Sequence, residues 1–260
     1  MKIGFFDSGL GGLTILRSVV HELPQYDYCF FGDTRNLPYG DKTEAEIFEL
    51  TKTGVEELFN RDCVLVIIAC NTASAQTLRK LQDTWMPETY PDRRILGVIV
   101  PTVEEIIDSG KSSATLIATK RTVDSKKYEV ELNNRSDHPI ELNALATPEL
   151  VPFIELNEID VAAEAAISRL DNEGGEEEVI VLGCTHYTEL KEKLRKRYPE
   201  KLILSQDEII PTKLKLYLDN HPEIVERLTS EGVRDIHLTE HRADYDRIMG
   251  QFLGGVYVEE

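Results

Sequence analysis

The chain of 260 residues has few basic side chains, with 29 lysines and arginines against 47 aspartates and glutamates. The resulting formal charge of −18 argues against nucleic acid or an anionic membrane as the main partner, because phosphate groups are bound by basic surfaces. The same charge disfavours long-range attraction of an anionic substrate. A carboxylate would have to be bound by local donors, such as the backbone N–H groups of helix N-termini.

Long apolar runs are also absent from the sequence. The hydrophobic fraction of 41% suits a packed core, and every apolar run is shorter than the roughly 20 residues that a membrane helix needs. The N-terminal stretch MKIGFFDSGLGG ends its short apolar run at Asp7 and has no cleavage-site pattern. We therefore interpret it as a first strand and not as a signal peptide, and we expect a cytoplasmic protein.

Cysteine is scarce, and its spacing excludes the common metal motifs. The four cysteines form no C-x-x-C pair, and no Cys/His set has zinc-finger spacing, so no metal site is predicted. Without a secretion signal, free thiols in a reducing compartment are the default. Cys29 and Cys63 lie within or at the start of apolar runs, which favours a role as buried small hydrophobic residues.

The glycine-rich stretch GLGGLT matches no nucleotide-binding motif. Its last position is Thr14, where the G-x-G-x-x-G pattern needs glycine, and the Gly-Lys-Ser/Thr of a P-loop is missing. The stretch therefore argues against nucleotide binding at this loop.

Short apolar runs rich in β-branched residues alternate with amphipathic stretches along most of the chain. KIGFFD, CVLVIIAC and EVIVLGC predict strands that are buried on both faces of a parallel sheet. RILGVIV, residues 94–100, also predicts a strand, and EIIPTKLKLYLDN predicts a helix with Pro211 near its first turn. This alternation indicates a doubly wound α/β fold.

Two stretches of the sequence repeat one arrangement. VLVIIACNTAS and VIVLGCTHYTE each place a cysteine, Cys70 or Cys184, between an apolar run and a polar helix start, about 114 residues apart. This faint repeat suggests two similar α/β halves. Since ligands bind at the carboxyl ends of the strands in open α/β sheets, we expect both thiols at a binding site.

The two thiols have several chemical interpretations. A structural cysteine, a nucleophile paired with His186 and a metal ligand all fit one site considered alone. A Cys–His hydrolase would not need a second, equivalent thiol. Two thiols on opposite sides of a cleft suit the removal of a proton from one face of a carbon and its return to the other, because the thiol pKa of about 8.5 lies near neutrality.

Five longer motifs occur in order from residue 6 to about residue 190: FDSGLGGLTIL, FFGDTRNLPYG, IIACNTASA, PELVPFIE and VLGCTHYTEL. Together they resemble the glutamate racemase family of the aspartate/glutamate racemase superfamily. The resemblance implies two flavodoxin-like α/β domains that face each other with a pseudo-twofold relation across the active site. These domains would be residues 1–97 plus 207–260 and residues 98–206.

The same resemblance implies an activity. The family interconverts L- and D-glutamate without a cofactor and supplies D-glutamate for peptidoglycan. The expected partner of the chain is therefore glutamate, with no nucleic acid and no membrane, and a homodimer is left open.

The resemblance also implies which residues form the site. Cys70 and Cys184 would be the two acid/base groups, Asp7 would assist Cys70, and His186 with Glu155 would support Cys184. The residues expected to hold the substrate follow strand tips or begin helices, and they are Asp7, Ser8, Pro38, Tyr39, Gly40, Asn71, Thr72, Thr119, Thr122, Thr185 and His186.

Three positions depart from the usual pattern of the family. Leu204-Ser205 replaces an Asp-Ser pair, Val100 stands in a segment that more often contains glutamate or proline, and Thr188 stands where proline is common.

Two alternative functions also stay open. One is a related enzyme acting on aspartate or another 2-amino dicarboxylate, and the other is a non-catalytic binding protein that keeps the fold.

Overall fold

The fold is described here from a computed structural model, for residues 1–174, 176–243 and 245–253. The strands in these ranges are β1 (Lys2–Asp7), β2 (Tyr28–Gly32), β3 (Cys63–Ile68), β4 (Arg94–Gly97), β5 (Ser113–Ala118), β6 (Glu141–Ala146), β7 (Val179–Gly183), β8 (Leu202–Ser205) and β9 (Arg234–Leu238).

Helices separate most of these strands. The α-helices are α1 (Gly12–Glu22), α2 (Glu44–Asn60), α3 (Asn71–Lys80), α4 (Met86–Thr89), α5 (Ile99–Asp108), α6 (Lys120–Asp124), α7 (Lys127–Arg135), α8 (Leu150–Glu155), α9 (Ile159–Glu173), α10 (Lys191–Arg197), α11 (Gln206–Asp219), α12 (Pro222–Val225) and α13 (Tyr245–Leu253). Turns of 3₁₀ helix cover Thr34–Asn36, Tyr39–Asp41 and Thr185–Leu190, and a π-helical turn covers Leu81–Trp85.

The strands form two sheets in which every pair is parallel. The first sheet has the order β4-β3-β1-β2-β9 and the second has the order β6-β5-β7-β8. Within each sheet, the first four strands in chain order are arranged second, first, third, fourth, which is the flavodoxin-like order. The two α/β halves that the sequence repeat predicts are confirmed, and β9 extends the first sheet at its β2 edge.

The central strands are buried because helices cover both faces of each sheet. All six residues of β3 and all five of β7 are buried, as expected for continuous apolar runs in parallel sheets. Cys29 and Cys63 are fully buried in this core, which confirms the interpretation of these two cysteines as small hydrophobic residues.

Helices connect the two sheets. The chain passes from the first sheet to the second through α5 and returns through α11, and α11 packs against α1. Sheet membership does not fix where one domain ends inside a connecting helix, so the limits at 97/98 and 206/207 stay predictions. Residues 254–260 of the predicted N-terminal domain lie outside the described residues.

Two local predictions are wrong. Residues 98–100 are not strand, because β4 ends at Gly97 and α5 begins at Ile99. An unbroken apolar run cannot mark this change, and Pro101 is compatible with the first turn of a helix. Pro211 lies inside α11 and not in its first turn, because this helix begins at Gln206, earlier than the sequence pattern indicates.

The helices of the described residues are short or amphipathic. Across these residues, none of the helices combines the length and the apolar character needed to cross a bilayer.

We expect Gly54→Ala to destabilise the fold. A Cβ at this position in α2 would lie 2.2 Å from Cε2 of the buried Phe6, whose ring also packs against Phe31 and Tyr39. Overpacking costs about 1–3 kcal/mol, whereas replacing a helical glycine by alanine gains about 0.5–1 kcal/mol. Urea unfolding should therefore show a net loss of about 1–2 kcal/mol.

Gly40→Ala is the control for this change, because a Cβ there meets nothing within 4 Å. Equal stability of the two variants would contradict the packing described for α2.

Candidate active site

Cys70 and Cys184 occupy the same position in the two sheets. Cys70 lies just after β3 and forms the N-cap of α3, and Cys184 follows β7 directly and precedes the turn Thr185–Leu190. Each thiol therefore follows the third strand of its sheet in chain order, next to the first strand, where flavodoxin-like folds bind their ligands. Both side chains are largely buried, with 6% and 7% of their surface exposed.

The carboxyl ends of the two sheets contact each other on two flanks of the thiols. On one flank, a Cβ at Gly11 would lie 2.4 Å from Thr185 Oγ1 and 2.7 Å from His186 Nδ1, so only glycine permits this approach. On the other flank, Thr72 Oγ1 is 2.9 Å from Thr119 Oγ1. The structure thus brings together the strand tips that the sequence predicts as a site.

Cys70 is held by two hydrogen-bonding groups of its own sheet. Its Sγ lies 3.3 Å from Ser8 Oγ and accepts a hydrogen bond of 3.5 Å from the backbone N–H of Ala73. Burial is the main cause that raises the pKa of the Cys70 thiol to about 12, and the nearby Asp7 carboxylate adds to the rise. The contacts with Ser8 and Ala73 oppose it. Cys70 is therefore a thiol at neutral pH.

Cys184 has a different neighbour, the imidazole of His186. The Cys184 Sγ lies 3.9 Å from His186 Nδ1, and His186 Nε2 lies 3.2 Å from Glu155 Oε1. Burial lowers the pKa of His186, but its hydrogen bonds to Cys184 and Glu155, together with their charges, raise it well above its usual range. A protonated imidazole therefore lies between the sulfur and a carboxylate at neutral pH.

Asp7 interacts electrostatically with Cys70 on one side of the site and with His186 on the other. Its carboxylate is 1% exposed, accepts a hydrogen bond of 3.1 Å from the Gly9 N–H and is also bonded by the Gly12 N–H. Burial raises the pKa of Asp7, and the charge of His186 opposes the rise. The sequence pattern assigns Asp7 to Cys70 alone, and it carries no signal of this link to His186.

Hydroxyl groups from both sheets meet beside Cys70. Thr119 caps the short α6, its hydroxyl lies 3.0 Å from that of Thr122, and both face Thr72.

Thr188 Oγ1 donates a hydrogen bond of 3.0 Å to the carbonyl of Thr185. The threonine that replaces the usual proline therefore closes the 3₁₀ turn.

Asn71 is placed differently from Thr72, although both begin α3. The Asn71 side-chain amide is engaged by a buried network with Gln206 and Tyr128, at 2.7 and 2.8 Å. The donors that α3 offers at this position are therefore the backbone N–H groups of Asn71 and Thr72, since the first N–H groups of a helix have no intrahelical acceptor. Sequence reasoning missed Gln206 and Tyr128, and the only signal was the unusual Leu204-Ser205 pair that ends β8, directly before Gln206.

The loop at residues 37–41 contributes Tyr39 and its neighbours. The Tyr39–Asp41 turn packs against α3 and α6, while the Tyr39 hydroxyl donates to Asp33 Oδ2 at 2.7 Å. Burial raises the pKa of Tyr39, and the charges of Asp33, Cys70 and Asp7 add to this rise. Gly40 is half-buried, and the side chain of Pro38 points to solvent. Of this loop, Tyr39 is thus the residue that lies in the same buried cluster as Cys70.

One set of potential metal ligands occurs among the described residues, and it lies elsewhere. Ligand atoms of Cys29, Asp235 and His237 fall within 4.8 Å of one another. Cys29 lies near the amino end of β2, and Asp235 and His237 lie within β9. The set is therefore away from the carboxyl ends of β3 and β7, where the two thiols lie. Lys2 already binds Asp235, and Arg61 contacts His237, so a dication would have to displace both cations.

The fold is shared with solved structures of amino-acid racemases. The chain is similar to the glutamate racemase isoform RacE1 of Bacillus anthracis, with a TM-score of 0.86, 28% identity and coverage of 97% of this chain and 94% of that one. It is also similar to the glutamate racemase of Francisella tularensis, solved in complex with D-glutamate, with a TM-score of 0.83, 25% identity and coverage of 97% and 93%.

Sequence comparison gives the same family. The chain is 36% identical to the glutamate racemase of Paracoccus denitrificans over 241 residues, which are 86% of this chain and 87% of that one. No family model matches the sequence. The chain belongs to the glutamate racemase family and is an enzyme.

The opposing effects of Asp7 and Ser8 on Cys70 can be measured by alkylation of its thiol. Asp7→Asn removes a charge that raises the Cys70 pKa, and Ser8→Ala removes a hydrogen bond that lowers it. Because only the thiolate reacts, iodoacetamide at pH 8–9 should modify Cys70 faster in the first variant and more slowly in the second. Mass spectrometry of the peptide that contains Cys70 gives the rate.

The two substitutions serve as controls for each other, since both alter a neighbour of the same sulfur. Rates that change in the same direction would contradict this electrostatic description.

Proposed function

We propose that the protein interconverts L- and D-glutamate by two proton transfers at Cα, one for each thiol. The observation that supports this proposal is the equivalent position of Cys70 and Cys184 in two sheets of the same topology, whose strand tips meet. The similarity to glutamate racemases, one of them solved with D-glutamate, supports glutamate as the substrate. The peptidoglycan role and the cytoplasmic location come from the resemblance to this family and are part of the same proposal.

In the proposed reaction, one cysteine acts as the base and the other as the acid. A thiolate removes the Cα proton from one face, and the opposite thiol donates its proton to the other face of the carbanion. The C–H bond broken and the C–H bond formed lie on opposite faces, so the configuration inverts. The reverse reaction exchanges the roles, and therefore each side needs a group that can both accept and donate a proton.

The two thiols have different neighbours. Cys70, with a pKa of about 12, is protonated at neutral pH and is ready to act as the acid. On the other side, protonated His186 can donate a hydrogen bond to the Cys184 sulfur when the latter carries a negative charge. His186 and Glu155 are thus proposed to support the base, and Asp7 to keep the proton on Cys70.

Local donors are proposed to bind the dicarboxylate substrate. The first turn of α3 offers the N–H groups of Asn71 and Thr72, and hydroxyls come from Ser8, Thr119 and Thr185. Donors of this kind stabilise the negative charge that develops when the weakly acidic Cα–H bond breaks, and they act more strongly where water is excluded. The formal charge of −18 is then no obstacle, because binding depends on groups within the site.

Serine in place of either cysteine should nearly abolish racemisation of glutamate. General acid/base groups contribute about 10²- to 10⁴-fold, and we expect Cys70→Ser and Cys184→Ser each to lose about 10³-fold or more in kcat. Circular dichroism at a single wavelength follows the loss of optical activity. Parallel assays with aspartate test the alternative dicarboxylate.

Deuterium exchange gives a second measurement on the same variants. Each serine variant keeps one functional base, so in heavy water it should exchange the Cα hydrogen of one enantiomer, and the two variants should prefer opposite enantiomers. Cys29→Ala is the control, since this buried thiol lies away from the strand tips. Full activity after either serine substitution would overturn the two-thiol assignment, and faster turnover of aspartate would overturn glutamate as the substrate.

A further inference from the structure

A pair of side-chain amides is buried directly behind the Cys70 turn. Asn71 Nδ2 donates to Gln206 Oε1 at 2.7 Å, and Gln206 Nε2 donates to Asn71 Oδ1 at 2.9 Å. Both residues are almost fully buried, with 2% and 1% of their surface exposed. The two amides therefore satisfy each other in a closed, two-hydrogen-bond pair.

Two further side chains complete this amide network. The Tyr128 hydroxyl donates to Asn71 Oδ1 at 2.8 Å, and Gln206 Nε2 lies 3.3 Å from Thr102 Oγ1 and 3.2 Å from the Tyr128 oxygen. Tyr128 and Thr102 are also buried. Four elements thus meet at one point: α3, α5, α7 and α11.

The amide network joins the two sheets at the level of the thiols. Asn71 begins α3 and is bonded covalently to Cys70, after β3 of the first sheet. Gln206 begins α11, directly after β8 of the second sheet. A buried amide that loses its partner must find another one, so the pair fixes the orientation of Asn71 and, through it, the turn that carries Cys70.

We propose that Gln206 is a positioning residue for Cys70: it holds the Asn71 side chain away from the substrate and sets the distance of the Cys70 thiol from the second sheet. This inference rests on the proposed two-thiol reaction. The amide group is essential to it, because a carboxylate at residue 206 would have no N–H to offer to Asn71 Oδ1 or Thr102. Misplacement of a reacting group by about 1 Å can cost about 10²-fold in rate.

The test is the kinetics of Gln206→Met, which keeps the length of the side chain and removes its hydrogen bonds. We expect kcat to fall about 10- to 100-fold. The specific signature is isotopic, and it is measured with both enantiomers deuterated at Cα. When transfer at Cys70 becomes slower, the isotope effect on kcat/KM should rise in the direction in which Cys70 removes the deuteron and fall in the opposite direction.

A second variant and a control distinguish a positioning effect from a simple loss of structure. Tyr128→Phe removes one hydrogen bond to Asn71 without changing the shape of the ring, and it should change the isotope effects with the same signs and smaller size. Thr115→Val removes a buried hydrogen bond to the Gly174 carbonyl in the second sheet. It should alter stability while both isotope effects remain those of the wild type.

The possible outcomes separate this inference from the function on which it rests. Exchange by Cys70→Ser and Cys184→Ser identifies the enantiomer that each thiol deprotonates. If those variants behave as proposed but Gln206→Met and Tyr128→Phe keep wild-type isotope effects in both directions, the positioning role is wrong. If either serine variant racemises glutamate at the wild-type rate, the two-thiol reaction itself is wrong.

Discussion

The close approach of Gly11 to the Thr185–His186 turn is the constraint on which the site depends. The two sheets share no strand pairing within the described residues, so helix packing, side-chain hydrogen bonds and contacts between strand tips hold them together. A side chain at residue 11 would fall within 2.4 Å of Thr185 Oγ1 and would force the tips apart. Because the strand tips touch here, the side chains between them are buried. The charges of these side chains therefore act on each other at short range.

This burial makes the two halves of the site electrically unequal. Cys70 lies near the buried carboxyl group of Asp7, and Cys184 lies beside the imidazole of His186, whose pKa is raised well above its usual range. The sheets have the same topology and place their thiols alike, yet the surroundings of Cys70 favour its neutral thiol, and Cys184 has an imidazole as its neighbour. A reaction that needs one acid and one base at the same moment is served by this difference.

Much of the fold could be predicted from the sequence because its signals are local. Continuous apolar runs marked β3 and β7, and the cysteine that follows each run marked the site. The limits of RILGVIV and the position of Pro211 could not be predicted, since an apolar run gives no sign of where strand gives way to helix. Both depend on packing between elements that are distant in the sequence.

The same difference between local and long-range signals explains which site residues could be predicted from the sequence. Asp7 ends a strand, Cys70, Cys184 and His186 lie just after strands, and a known rule places such residues together. Gln206, by contrast, follows a short strand and contacts Asn71 across 135 positions of the chain. Its role depends on which helices meet at one point, and no periodic pattern carries that information.

The measurement that tests the central claim most directly is isotope partitioning in the first turnovers of the wild-type enzyme in heavy water. Starting from L-glutamate, two thiols on opposite faces should give D-glutamate that carries deuterium from the outset, while the recovered L-glutamate keeps its protium. Product that retains the substrate hydrogen, or equal early labelling of substrate and product, would show that one group performs both transfers and would contradict the account.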